Sequence, residues 1–164
     1  MQIGSDVFWV EEMTTKSGIL RNDGHSIFSC ESKADSQYAR FWPALCSFQD
    51  RYIFVSGGEF QDSVERYDCA SDSWSLMPAL NGNRHKHSSC ALGNVIYVIC
   101  GASGYNDELQ NTIESLDTRL ISSMAASWEI IEIAHSELTP RAAVGVASLG
   151  KNKMVIFGGN VKGD

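Results

Sequence analysis

Residues 52–74 read YIFVSGGEFQDSVERYDCASDSW. A short apolar run meets Gly57-Gly58, a second run ends at Tyr67-Asp68, and Trp74 comes six residues later. Two readings compete. A glycine pair after an apolar strand can cradle a phosphate, but that requires a helix N-terminus behind it and usually a Gly-Lys-Ser/Thr. The residues after Gly58 instead form another strand-like run, so the glycines read as punctuation that permits backbone angles a Cβ would penalise. Recurrence of the pattern decides between the two.

The pattern recurs when anchored on the arginine ahead of each apolar segment. Arg40, Arg84 and Arg141 each stand 17 residues before a glycine: Gly57, Gly101 and Gly158. The segments RFWPALCSFQDRYIFVSGG, RHKHSSCALGNVIYVICGA and RAAVGVASLGKNKMVIFGG align without a gap. A small residue comes six after each arginine (Cys46, Cys90, Ala147) and a large apolar one eight after it (Phe48, Leu92, Leu149). Turn formers and a β-rich run come next, which predicts a hairpin in each unit. The second half repeats as well. SVERYD ends at Asp68 and TIESLD at Asp117, with Trp74 and Trp128 downstream. The extra residues of the second unit all fall between predicted strands, where insertions are tolerated. Each unit therefore has four short strands: a after the arginine, b ending at the glycines, c ending at the aspartate, and d carrying the tryptophan. Four strands at a period of about 50 residues is a propeller blade.

Composition bounds the function. The 164 residues carry a net charge of −7, which excludes the basic face of a nucleic-acid binder. Arg84-His85-Lys86-His87 is too small a cationic cluster to track phosphates. No stretch reaches the ~20 apolar residues of a membrane span, and the first residues lack the pattern of a signal peptide. Five cysteines without CxxC spacing, and no Asn-x-Ser/Thr, point to free thiols and a cytoplasmic setting.

The residues that carry the repeat resemble the kelch motif: Gly57-Gly58, Tyr67-Asp68 and Trp74 in full, Gly101, Asp117 and Trp128 in the second unit, and Gly158-Gly159 in the third. In the second unit Ala102 and Leu116 replace the second glycine and the tyrosine. The resemblance covers residues 40 to about 160 and implies an all-β fold. That fold is a partial β-propeller of four-stranded antiparallel blades, with two full blades (40–83 and 84–140) and the first hairpin of a third (141–164). Residues 1–39 match less clearly. Trp9 to Met13 look like an outer strand at the end of a preceding blade, and 29–37 like a loop or linker. The remaining blades of the propeller, or self-association, are expected to complete the ring.

Within this frame Trp74 and Trp128 are expected to fill the space between blades. Asp68 and Asp117 are expected to accept backbone N–H groups in the turn after strand c. His85 and His87 would share a face on a strand, but no third ligand stands near, and no metal or cofactor site is expected. No catalytic motif is present.

Strand order sorts the loops. The d–a and b–c loops share one face, which holds 59–62, 78–84, 102–112 and 134–141. That face carries Arg40, Arg84 and Arg141 at the starts of strand a, and Tyr105, Asn106, Asp107 and Glu108 in the longest b–c loop. Arginine and tyrosine are enriched at interface centres, so the expected role is binding of a partner protein through these residues. The alternative is that the recurring arginines brace neighbouring loops. The resemblance implies an interaction module, such as substrate recognition for a ubiquitin ligase or binding to the cytoskeleton. The competing reading is part of a kelch-type propeller enzyme acting on sugars or small molecules.

Overall fold

The computed structural model describes residues 2–3, 6–11, 13–22, 28–123, 125–131, 133, 138–150 and 152–161. Among them the only helix is one 3-10 turn, Thr118–Leu120. The N-terminal sheet holds β1 (Gln2–Ile3), β2 (Asp6–Val10), β3 (Ser17–Asn22) and β4 (Phe28–Lys33). The first blade holds β5 (Ala44–Phe48), β6 (Tyr52–Gly58), β7 (Gln61–Asp68) and β8 (Ser73–Met77). In the second blade β9 (Ser88–Leu92) and β10 (Val95–Ile99) precede a small hairpin of β11 (Ala102–Ser103) and β12 (Glu108–Leu109). β13 (Ile113–Asp117) and β14 (Glu129–Ile131) then complete that blade. The third blade contributes β15 (Arg141–Ala142), β16 (Gly145–Leu149), β17 (Lys153–Phe157) and β18 (Asn160–Val161).

Each blade is an antiparallel meander. The orders are β1-β2-β3-β4, β5-β6-β7-β8 and β9-β10-β13-β14, with β16-β17 as the hairpin of the third. β5 lies beside β9, and β9 beside β16, so the first strands of successive blades gather around a common centre. The sheets stack face to face over apolar layers. Phe48, Phe54 and Val64 of the first blade meet Ile96, Val98, Leu116 and Trp128 of the second. Cys90, Ile99 and Tyr97 of the second meet Val144, Met154 and Ile156 of the third.

Two features depart from the sequence reading. Residues 28–33 form β4 rather than a loop, and Trp9 lies on β2, the second strand of its sheet and not its outer one. The N-terminal sheet also makes the contacts of a preceding blade. Met13 N–H donates to the Arg40 carbonyl at 2.7 Å, as Gly58 donates to Arg84 (2.8 Å) and Gly101 to Arg141 (2.9 Å). Ile19 of β3 packs on Ile53, Val55 and Tyr67.

A further departure is a one-residue slip in the gapless alignment. β5 and β6 close at Phe48 opposite Tyr52, and β16 and β17 at Leu149 opposite Lys153, with three residues between. β9 and β10 close at Leu92 opposite Val95, with only Gly93-Asn94 between. Beyond the turn every residue of the second blade therefore sits one place further along the blade than the gapless alignment puts it. Cys100, at φ +56°, takes the place of Gly57 and Gly158, and Gly101 takes that of Gly58 and Gly159.

Candidate functional site

The arginines expected on the binding face are turned inward. Arg40 is 2% exposed and Arg84 4%. Arg40 Nη1 donates to the carbonyls of Gly57 (2.6 Å) and Ser63 (2.9 Å), and Nη2 to the Glu65 carboxylate at 2.9 Å. Arg84 repeats this with the carbonyls of Cys100 (2.7 Å) and Thr112 (3.2 Å) and with Glu114 at 2.8 Å. Burial pushes both guanidinium pKa values down, and the glutamates push back. The second oxygen of each glutamate accepts the backbone N–H three residues ahead of the arginine, at Gln37 (2.7 Å) and Asn81 (2.9 Å). These arginines brace the blade: their Nη atoms are committed inside it and their Nε atoms are buried there, so they are not exposed contacts for a partner. Arg141 is half-buried and bonds the Gly158 carbonyl (3.1 Å) and Thr139. Glu65 and Glu114 escaped the sequence reading. The signal was their position three residues ahead of the aspartate in both units.

The motif residues serve the same scaffold. Tyr67 packs against Trp74 with ring centroids 5.2 Å apart and the rings tilted by 49°, and its hydroxyl donates to Asp72. Asp68 accepts the Ala70 N–H and pairs with Arg51; Asp117 accepts the Arg119 N–H and pairs with its guanidinium. The indole N–H groups of Trp74 and Trp128 reach the carbonyls of Ala34 and Pro78, six residues ahead of Arg40 and Arg84. A Cβ at Gly57 would stand 2.3 Å from the Arg84 carbonyl, and one at Gly101 2.7 Å from that of His85. A Cβ at either place would push the next chain segment back. Burial pushes the thiol of Cys46 up to about 12 and that of Cys90 up to about 11, so both stay protonated.

What remains exposed on the b–c and d–a face is a compact cluster. Tyr105, Asn106, Asp107 and Glu108 occupy the tip of the β11–β12 hairpin, and all four are exposed. Tyr105 is 90% exposed and rests on Phe60, 47% exposed, with ring centroids 4.5 Å apart. Asp107 accepts from Lys86 Nζ at 2.9 Å and faces His85 Nε2 at 2.7 Å; these bonds hold its carboxyl below the usual range. Lys86 Nζ lies 4.1 Å from the centre of the Trp42 ring, a cation–π geometry. Trp42, Lys86 and Ala143 each come two residues after their blade's arginine and share a positive φ of 52–55°. Their backbones bond in series around the centre: Lys86 N–H to Trp42 (3.2 Å), Ala143 N–H to Lys86 (2.7 Å).

That turn also separates His85 from His87. His85 goes to Asp107, while His87 is buried and bonds Ser56 Oγ at 2.9 Å. The positive φ at Lys86 breaks the strand on which the two would have shared a face. Among the described residues no three metal-ligating side chains converge.

Two open grooves flank Lys86. One of about 1100 Å³ runs between the second and third blades, past Asp107, Glu108, Thr139 and Pro140. The other, about 440 Å³, lies at the centre against Trp42, His87 and Val144. Residues 134–137 of the loop assigned to this face fall outside the described residues. Trp42, Phe60 and Lys86 were missed as surface residues. The first and last had a signal in their shared place two residues after the arginine.

Known proteins match this architecture. The family model of the kelch motif matches residues 44–81, the first blade with the linker after it. Human Kelch-like protein 4 is 41% identical over 58 residues, 35% of this chain and 8% of that protein. Human Kelch-like protein 6 is 28% identical over 88 residues, 53% of this chain and 14% of that protein. An F-box/kelch-repeat protein of Arabidopsis thaliana is 36% identical over 56 residues, 34% of this chain and 14% of that protein. The chain thus spans 8–14% of the length of these relatives. The matched segment carries a kelch motif, and its four strands and buried ion pair recur in the neighbouring blade.

Proposed function

We propose that the chain is a protein-interaction module that docks its partner on the b–c and d–a loop face, around Phe60, Tyr105, Trp42 and Lys86. The observation that carries this is the Phe60–Tyr105 pair, two large aromatic rings held together in solvent on a rigid scaffold. Neither ring belongs to a core cluster. Exposed aromatic clusters beside a groove mark interaction sites. Asp107 neutralises Lys86, so the groove wall at Glu108 and the net charge of −7 favour a basic partner surface.

Two cellular settings follow from the kelch resemblance: recruitment of a substrate to a ubiquitin ligase, and binding to the cytoskeleton. The five free thiols suit a cytoplasmic setting. No described helix is long and apolar enough to cross a membrane.

The test begins with proximity labelling to identify a partner, then measures affinity with both purified proteins. Tyr105→Ala and Glu108→Lys are expected to weaken binding at least tenfold. Arg119→Ala, on the opposite a–b and c–d face, is expected to leave it unchanged. Equal affinities for all three variants would reject this face as the docking surface.

A further inference from the structure

A small cleft opens between the first and second blades on the a–b and c–d face, opposite the loop face proposed above. It holds about 260 Å³, and Phe48, Tyr52, Arg66, Asn94, Thr118 and Arg119 line it. Both blades that form it have all four strands. Arg66 lies on β7 opposite Phe54 and is half-buried. Its guanidinium rests over the Tyr52 ring, 4.6 Å from the centre, a cation–π contact that spends no N–H donor. Among the described residues Arg66 closes on no carboxylate and donates no hydrogen bond, and its Nε is buried without a partner.

The neighbouring arginines are paired. Arg51, 4.9 Å from the centre of the same ring, forks onto Asp68, and Arg119 forks onto Asp117. No acidic side chain lines the cleft among the described residues. Arg66 therefore leaves it with one uncompensated positive charge, in a chain whose net charge is −7. The repeat does not require this arginine. Counting from the aspartate that ends strand c, Ser115 holds its place in the second blade, and Val95 holds that of Tyr52. A guanidinium half-withdrawn from water with no partner carries a cost that a serine there avoids.

We infer that the cleft binds a carboxylate on a short apolar stem, with Arg66 as its counter-ion. A guanidinium fork takes a carboxylate through two parallel N–H···O bonds. The single uncompensated charge matches a monoanion better than a phosphate dianion. Phe48 and Tyr52, with ring centroids 6.5 Å apart, give the stem an apolar wall. The volume suits one such group and not a whole cofactor, since pockets for drug-sized ligands run from about 300 to 1,000 Å³. A free small acid and a glutamate of a polypeptide carry this same chemistry.

The test is a titration of the intact, isotope-labelled chain followed by NMR at the Arg66 Nε–H and at the backbone amides of Gln49, Asn94 and Thr118. The probes are benzoate, benzamide as its neutral isostere, and a capped Ala-Glu-Ala peptide. Benzoate or the peptide is expected to shift these resonances saturably, and benzamide to leave them in place. Tighter binding of the peptide assigns the cleft to an acidic side chain; tighter binding of benzoate assigns it to a free acid. Arg66→Ser installs the residue the second blade already carries, so the fold should survive it. It is expected to weaken binding by about tenfold or more, the scale of a charged hydrogen bond. Arg66→Lys, which keeps the charge and loses the fork, should fall between the two. No saturation by either acid, equal shifts with benzoate and benzamide, or unchanged affinity in Arg66→Ser would overturn the inference.

Discussion

In the first blade Gln61 comes three residues after Gly58; in the second Gln110 comes nine after Gly101. Yet both carbonyls accept the N–H of the next blade's arginine, Arg84 at 3.2 Å and Arg141 at 3.1 Å. The six extra residues are extruded as the β11–β12 hairpin, and the strands on either side keep their places. The a–b turn differs in the opposite sense, shorter by one residue in the second blade. Between the two blades the buried set is held constant: Arg40–Glu65 against Arg84–Glu114, and Ile53, Val55 and Tyr67 against Ile96, Val98 and Leu116. Stability resides in that set, and the face proposed for recognition lies where the blades differ.

If the ion pair is what the blades share, breaking it should be the most damaging change. Glu65→Ala or Glu114→Ala leaves a guanidinium buried without its carboxylate, which costs about 3–5 kcal/mol. Urea denaturation should show the loss in either blade. Replacing both members, as in Arg40→Met with Glu65→Leu, should cost less than Glu65→Ala alone, because no orphaned charge remains. Arg141→Met lacks a carboxylate to orphan and should cost about 1 kcal/mol, the scale of its hydrogen bonds. Equal losses at Arg141 and Glu114 would mean that carboxylate pairing is not what these arginines contribute.

The glycines sharpen the comparison by separating backbone angle from space. Gly57 and Gly93 share a φ near +60°, but a Cβ at Gly93 meets nothing within 4 Å, whereas at Gly57 it meets the Arg84 carbonyl at 2.3 Å. Gly93→Ala should cost about 1–2 kcal/mol from the left-handed angle alone. Gly57→Ala should cost about 1–3 kcal/mol more, since a backbone atom must move. Similar melting temperatures for the two variants would show that the adjoining blade yields freely.

Much of this was legible in the sequence because periodic features are pinned by packing. The arginine, the paired glycines, the aspartate and the tryptophan each hold one backbone geometry, so they recur in register. What escaped has equally local reasons. A two-residue turn and a three-residue turn are both built from Gly, Asn, Asp and their neighbours, so a gapless alignment absorbed the difference and placed Gly101 one position early. The N-terminal sheet was obscured because Met13, at φ +61°, donates where the other blades use glycine. Glu65 and Glu114 were passed over, since a buried charge is rare unless paired. Their partners lie 25 and 30 residues upstream. The exposed aromatic cluster was half visible: Tyr105 stood out in the longest loop, but Phe60 sits in a different blade, and only the fold brings the two together.

His87 is a feature of the second blade that the first lacks, since Pro43 stands in its place. Burial, then the nearby charges of Arg84, His85 and Arg40, push its imidazole down to about 3. An unfolded histidine titrates near 6.5. Above that pH neither state binds the proton and stability is unaffected. Below it the unfolded chain takes up a proton that the folded one refuses, so stability falls by about 1.4 kcal/mol per pH unit down toward pH 3. Asp68, held low by Arg51, adds to the loss only once pH drops below the normal carboxylate range near 4. His87→Gln should therefore flatten the stability profile between about pH 6 and 4. An unchanged slope in that window would assign the acid sensitivity to another group.

The smallest expected effect bears most directly on the division between scaffold and face. Tyr105 touches Phe60 and solvent, and the hairpin that carries it is the insertion that distinguishes the second blade. Removing its ring deletes exposed surface and leaves every buried contact in place. Tyr105→Ala should therefore change unfolding free energy by no more than about 0.5 kcal/mol. The same holds for Phe60→Ala only if its ring is equally idle in the core, and at roughly half the exposure it should cost slightly more. A Tyr105 variant that unfolds readily would make the hairpin part of the blade's own packing, and the case for it as a recognition element would fail with it.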